Sequence, residues 1–134
     1  MKSYNKSMLA AAVFAMAGVA FGADVKVSLS GANEVPPVTT SATGEGTISI
    51  TDDGAVSGSV TTKGVQGTAA HIHIAAAGKN GPVIVPFTKE GDTYKAPAGA
   101  KLNADQMKAF KAGELYFNVH SDANKGGEIR GQLK

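Results

Sequence analysis

Cysteine and tryptophan are absent from this 134-residue chain, and aromatic residues make up 6% of it. Without cysteine there are no disulfides and no thiolate metal ligands, and the acylated-cysteine route to a lipid anchor is closed. No charge of one sign dominates: 13 basic residues stand against 11 acidic ones. Lys2 and Lys6 lie in the first segment, and without them the counts are 11 and 11, a formal net charge of zero. No basic run and no interleaving of basic with aromatic residues remains, which argues against a nucleic-acid partner. No serine stands in a pattern with a histidine and an acid that would make a hydrolase triad. Gly78-Lys79-Asn80-Gly81 has glycines but lacks the strand–loop–helix setting of a phosphate cradle. No catalytic residue and no organic-cofactor site is assigned.

Long apolar runs are also scarce. Met8 to Val19 is Ala-rich and apolar, preceded by Lys2 and Lys6 and followed by Ala20-Phe21-Gly22. A run of this length is short for a membrane span and fits an export signal. The small-x-small rule puts cleavage after Gly22, so residues 1–22 read as a signal peptide and 23–134 as the mature domain. The 134 residues less these 22 leave 112, beginning at Ala23, enough for one domain with one core. The expectation is a periplasmic or secreted protein with no membrane span after signal removal.

What the mature segment does contain is glycine, threonine, valine and serine in short alternating runs. Val25–Ser30, Gly46–Thr51, Ala55–Thr61, Thr68–Ile74, Val83–Thr88, Thr93–Lys95, Glu114–His120 and Gly127–Leu133 read as strands. Asp52-Asp53-Gly54 between the second and third predicts a hairpin. Pro86 weakens the Val83 run. One short helix is expected near 104–112: Asn103 and Gln106 form a capping-box pair, Leu102 and Met107 a hydrophobic staple, and Gly113 suits a left-handed C-terminal position. The fold class is therefore all-β, an antiparallel β-sandwich of about 7–8 strands with one short helix.

All three histidines fall in strand positions that alternation turns away from the core. In Ala70-His71-Ile72-His73-Ile74, inward isoleucines send His71 and His73 outward. In Leu115-Tyr116-Phe117-Asn118-Val119-His120, inward Leu115, Phe117 and Val119 send His120 outward with Tyr116 and Asn118. Residues i and i+2 of a strand lie ~6.5–7 Å apart, close enough for two imidazoles to converge on one ion. His71, His73 and His120 are thus a candidate metal set if their strands adjoin. An all-imidazole set favours copper, with zinc as the alternative. Glu128 and Arg130 share the outward phase of the last strand; with Asn118 they are candidates to support the ligands, or else Glu128 and Arg130 form a surface ion pair. The competing reading is an extracellular adhesion or matrix-interaction module with no metal and no catalysis, binding a protein or glycan through its loops. Asn33-Glu34-Val35-Pro36-Pro37 would be such a loop, or simply a stiff connection between strands.

Three segments in order carry a family resemblance: Asn33-Glu34-Val35-Pro36-Pro37, then Ala70-His71-Ile72-His73 with Gly78-Lys79-Asn80-Gly81-Pro82-Val83, then Tyr116-Phe117-Asn118-Val119-His120 with Gly126-Gly127-Glu128-Ile129-Arg130-Gly131-Gln132-Leu133. Together they resemble the CHRD domain, named for its occurrence in chordin, from about Val25 to Lys134. The resemblance implies an extracytoplasmic β-sandwich module, without implying an activity. Ser121, Lys125 and Ile74-Ala75-Ala76-Ala77 depart from the family's usual loop residues. A weaker likeness is to the copper–zinc superoxide dismutase sandwich, itself immunoglobulin-like. Dismutase-type redox activity is the lesser expectation, because such a copper site uses four imidazoles and this chain has three histidines.

Overall fold

The computed structural model describes residues 22–134. The expected signal peptide, apart from Gly22, lies outside the described residues. The described residues form nine strands and one α-helix: β1 (Gly22–Leu29), β2 (Thr43–Thr51), β3 (Val56–Lys63), β4 (Gly67–Ile74), β5 (Val83–Pro86), β6 (Thr88–Glu90), β7 (Thr93–Lys95), α1 (Ala104–Lys111), β8 (Leu115–Ser121) and β9 (Ile129–Gln132). A 3₁₀ turn, Gly31–Asn33, follows β1. The strands make two antiparallel sheets, ordered β1-β2-β3-β7-β6 and β5-β4-β8-β9. The all-β sandwich read from the alternating runs is the observed architecture.

Alternation decides which residues fill the space between the sheets. Val25, Val27 and Leu29 of β1 and Ile48 and Ile50 of β2 face Ile72 of β4, Leu115, Phe117 and Val119 of β8 and Ile129 of β9. Each such side chain contributes roughly 1.5–3 kcal/mol by leaving water. The hairpin between β2 and β3 turns where expected, with Gly54 at φ 95°, a conformation that favours glycine. Helix α1 begins at its capping box: Asn103 accepts from the Gln106 amide at 2.8 Å, and the Gln106 side chain accepts from the Asn103 amide at 2.9 Å. It is followed by Gly113 at φ 76°.

The one departure from the expected strands is the Val83–Thr88 run, which divides. β5 ends at Pro86, Phe87 turns into the core against Phe117, and β6 resumes in the opposite sheet. Proline has no N–H to continue a ladder. The chain changes sheets there, giving nine strands in place of seven or eight. No helix among the described residues is long and apolar enough to cross a membrane.

Ile72 is fully buried between the two strand histidines, and its inward phase dictates theirs. Ile72→Ala should cost roughly 2–5 kcal/mol of folding stability, as expected for a cavity at a closed site; urea denaturation followed by circular dichroism measures it.

Candidate metal centre

The site rests on the ladder between β4 and β8. Ala69 pairs with His120, His71 with Asn118 and His73 with Tyr116. The intervening pairs, Ala70 with Val119 and Ile72 with Phe117, occupy the core. The histidines therefore take the opposite face of the same sheet, with His120 one step along the ladder from the position opposite His71. The ring centroids of His71 and His120 lie 4.8 Å apart, those of His71 and His73 5.5 Å, and those of His73 and His120 5.7 Å. One ring nitrogen from each lies within 4.8 Å of the other two, so the cluster can hold a metal ion. His71 Nδ1 and His120 Nε2 are 3.1 Å apart.

The outward face is not a solvent face. His73 is only 7% exposed, and His71 and His120 are half-buried. Two loops return over the sheet. One follows β1 and carries Glu34; the other follows β4 and carries Asn80 and Gly81. Asn80 Nδ2 donates to the Val35 carbonyl at 2.8 Å and joins them. Alternation says which face a side chain takes, but not whether the chain comes back to cover that face.

The loops also settle which imidazole nitrogens are free. His73 Nδ1 meets the Gly81 carbonyl at 2.9 Å, and His120 Nδ1 meets the Lys125 carbonyl at 2.8 Å. A carbonyl can only accept, so both Nδ1 atoms carry the proton and both Nε2 atoms present a lone pair. Among the described residues, His73 Nε2 and Asn118 Oδ1 are the buried side-chain polar atoms with no hydrogen-bond partner. Both are acceptors. As placed, Asn118 Nδ2 donates to Glu34 Oε2 and to the Gly126 carbonyl, each at 3.4 Å. Buried polar groups are nearly always satisfied. One of these acceptors, His73 Nε2, belongs to the cluster that could hold an ion.

The ring of His73 stacks on Tyr116 at 4.7 Å between centroids, and the Arg130 guanidinium lies 3.4 Å from the centre of the Tyr116 ring. The Tyr116 hydroxyl accepts from the Gly81 amide at 3.1 Å and donates to the Gly81 carbonyl. A Cβ on Gly81 would run into the Ile74 carbonyl, so glycine is what allows this close approach. Burial pulls the His71 imidazole down to about 4, with the nearby His120 and His73 adding to the effect. Burial likewise lowers His73, against opposing contributions from Gly81 and Asn118. Both are neutral at pH 7, the state in which imidazole binds metal.

Of the candidate supporting residues, Asn118 sits between the histidines and Glu34, and Arg130 caps Tyr116. Glu128 turns elsewhere: its carboxylate accepts from Thr40 and from Ser121, both at 2.7 Å, and from Asn124 at 3.4 Å. Glu128 and Arg130 form no surface ion pair; both are buried, and the ion pairs among the described residues are Lys95–Glu90 and Lys125–Asp122. The sequence put Tyr116 on the histidine face without giving it a role, and it did not place Gly81 and the Lys125 carbonyl at the site, nor Glu34 beside it. The signal for Glu34 and Gly81 lay in two segments: Asn33–Pro37, which read as a binding loop or a stiff connection, and Gly78–Gly81, which read only as lacking the setting of a phosphate cradle.

Glu34 is 4% exposed. Burial raises its carboxyl from 4.5 to about 7, although Asn118 and Arg130 pull the other way. Between those two pH values the folded protein holds a proton that the unfolded chain has released. The stability from this group is complete below 4.5 and is lost as pH rises through about 7. Glu34→Gln should remove that dependence and stabilise the protein above pH 7 by on the order of 1–3 kcal/mol. Denaturant titrations at pH 5 and pH 8 compare the two proteins.

The family model of the CHRD domain matches residues 25–133. Searches of curated proteins and of solved structures returned no significant match. The matched span takes in every strand that builds the site and both covering loops. The chain belongs to the CHRD domain family.

Proposed function

We propose that this CHRD domain binds a transition-metal ion, with copper preferred to zinc, through His73 Nε2, His120 Nε2 and His71 Nδ1. The observation that carries the reading is the orphaned pair, His73 Nε2 and Asn118 Oδ1, buried beside two further imidazoles. An ion with metal–nitrogen bonds of ~2.0–2.1 Å needs its ligating nitrogens about 3–3.6 Å from one another. The His71–His120 pair stands at 3.1 Å as a hydrogen bond in which His71 Nδ1 donates to His120 Nε2, and it fits this span once that proton moves to His71 Nε2. The other separations are at most 4.8 Å and must shorten on binding. The Gly81 and Lys125 carbonyls orient two of the rings as outer partners of a metal-bound histidine do. Three imidazoles without thiolate favour copper over zinc. The role is binding, and no catalytic step is assigned.

The proposal extends to export, with residues 1–22 removed and the domain at work in the periplasm or outside the cell. Support comes from Lys2 and Lys6, the Met8–Val19 run and Ala20-Phe21-Gly22. The intact mass of the exported protein should correspond to a chain starting at Ala23; a species starting at Met1 would overturn this part.

Calorimetric titration of the exported protein with Cu(II) and Zn(II) tests the site. Copper should bind more tightly and raise the melting temperature by mass action. Four-ligand sites bind with about 10–16 kcal/mol, so loss of one ligand by His71→Ala or His120→Ala should weaken binding on the order of 100-fold. These two histidines are half-buried, so both variants keep a near-normal apo stability. His73→Ala should lower apo stability as well, because His73 is buried and stacked on Tyr116. No copper-dependent rise in melting temperature at neutral pH would end the metal reading and favour an adhesion module.

A further inference from the structure

Arg130 also lines a cleft of about 610 Å³ between the loop after β1 and the end of the chain. No histidine lines it. Its apolar wall includes Val35, Pro37 and Ala77, and its polar lining includes Glu34, Arg130 and Lys134. The volume is that of an ordinary small-molecule site.

We propose that this cleft binds a small organic carboxylate, with the anionic group held by Arg130 and the Glu34 carboxyl, and the apolar body lying against Val35, Pro37 and Ala77. The first argument is the state of Arg130. It is 1% exposed, yet no carboxylate among the described residues stands within ion-pair distance. Its described acceptors are neutral and distant: Asn80 Oδ1 at 3.3 Å, the Ala76 carbonyl at 3.2 Å and Gln132 Oε1 at 3.4 Å. A guanidinium has five N–H donors, and a buried cation ordinarily has an anionic partner. The Tyr116 ring supplies only its face.

The second argument is Glu34. It is buried and lines the same cleft, with Asn118 Nδ2 donating to one of its oxygens. With its carboxyl raised to about 7 by burial, it is protonated below that pH and there offers an O–H that needs an acceptor. A ligand carboxylate accepts from that O–H and from the guanidinium together, and a charged pair of this kind is stronger than a neutral one. The other charged groups lining the cleft with Glu34 are cationic: Arg130 from β9 and Lys134 at the chain end. His73, reached through Asn118, is neutral at pH 7. A cationic ligand would meet these same charges.

Butyrate and butylamine, matched in size and opposite in charge, are the probes, titrated into the metal-free exported protein and followed by the Arg130 Nε–H resonance. Butyrate should bind saturably and butylamine should not. With Glu34 titrating at about 7, the competent fraction falls from pH 6 to pH 8, so butyrate should weaken about tenfold. Glu34→Gln, neutral at both pH values, should bind equally well at each. Arg130→Lys should bind butyrate at least about tenfold more weakly, since an ammonium cannot offer the guanidinium fork. Should that variant fail to fold, the pH comparison with Glu34→Gln decides alone. Non-saturable butyrate shifts, tighter binding of butylamine, or equal butyrate affinity at pH 6 and pH 8 in the unmutated protein would overturn the proposal. Metal-free protein keeps this outcome separate from that of the copper titration.

Discussion

The ladder between β4 and β8 is the constraint on which the site depends, and its register is determined by the core. Ile72 against Phe117 and Ala70 against Val119 bury apolar surface between the sheets. A slip of one residue would exchange faces along the whole strand. It would push His71 and His73 into the apolar interior and bring Ile72 out. The energy of burying isoleucine and phenylalanine therefore also holds the imidazoles together, though no histidine contributes to that burial. His120 reaches the pair because it lies one step along the ladder, where neighbouring side chains still meet.

Burying the outer face imposes a second demand. A sheet face covered by protein cannot leave its polar groups to water. Tyr116, His73 and Asn118 are all buried there, and their partners come from loops: Gly81 for His73 and Tyr116, Glu34 and Gly126 for Asn118. These contacts decide the tautomers of His73 and His120. They also leave His73 Nε2 and Asn118 Oδ1 without partners, beside the imidazoles that could hold an ion. Desolvation acts in opposite directions on the two kinds of group: it keeps His71 without its proton and Glu34 with its proton at moderately acidic pH.

Arg130 joins the two regions. It covers the Tyr116 ring that supports His73, and it lines the cleft beside Glu34. Its backbone is held from the other sheet as well: Ser30 and Arg130 exchange both backbone hydrogen bonds, at 3.1 and 3.0 Å, and Asn33 Nδ2 donates to the Arg130 carbonyl at 3.2 Å. The loop after β1 is thereby anchored at its start, against β9, and at Val35, through Asn80. Two polar centres on one covered face share this single guanidinium.

The periodicities were legible in the amino-acid order. Alternation of isoleucine with histidine assigned His71 and His73 to one face, Asp52-Asp53-Gly54 marked the hairpin, and Asn103 with Gln106 marked the start of the helix. Each is a local property of a few neighbouring residues, governed by side-chain direction, glycine's freedom and hydrogen bonds within one turn. Pro86 signalled an interruption, but not that the chain would cross to the other sheet, because that depends on where Phe87 finds a core. Nor could neighbouring residues tell that the Glu34 and Gly81 loops would close over the histidines, or that Glu128 would bond to Thr40 while Arg130 stacked on Tyr116. Those contacts join residues far apart in the chain. The local sequence determined which face each side chain took; only the tertiary structure decided whether that face met water or protein, because covering a surface requires a distant segment to return to it.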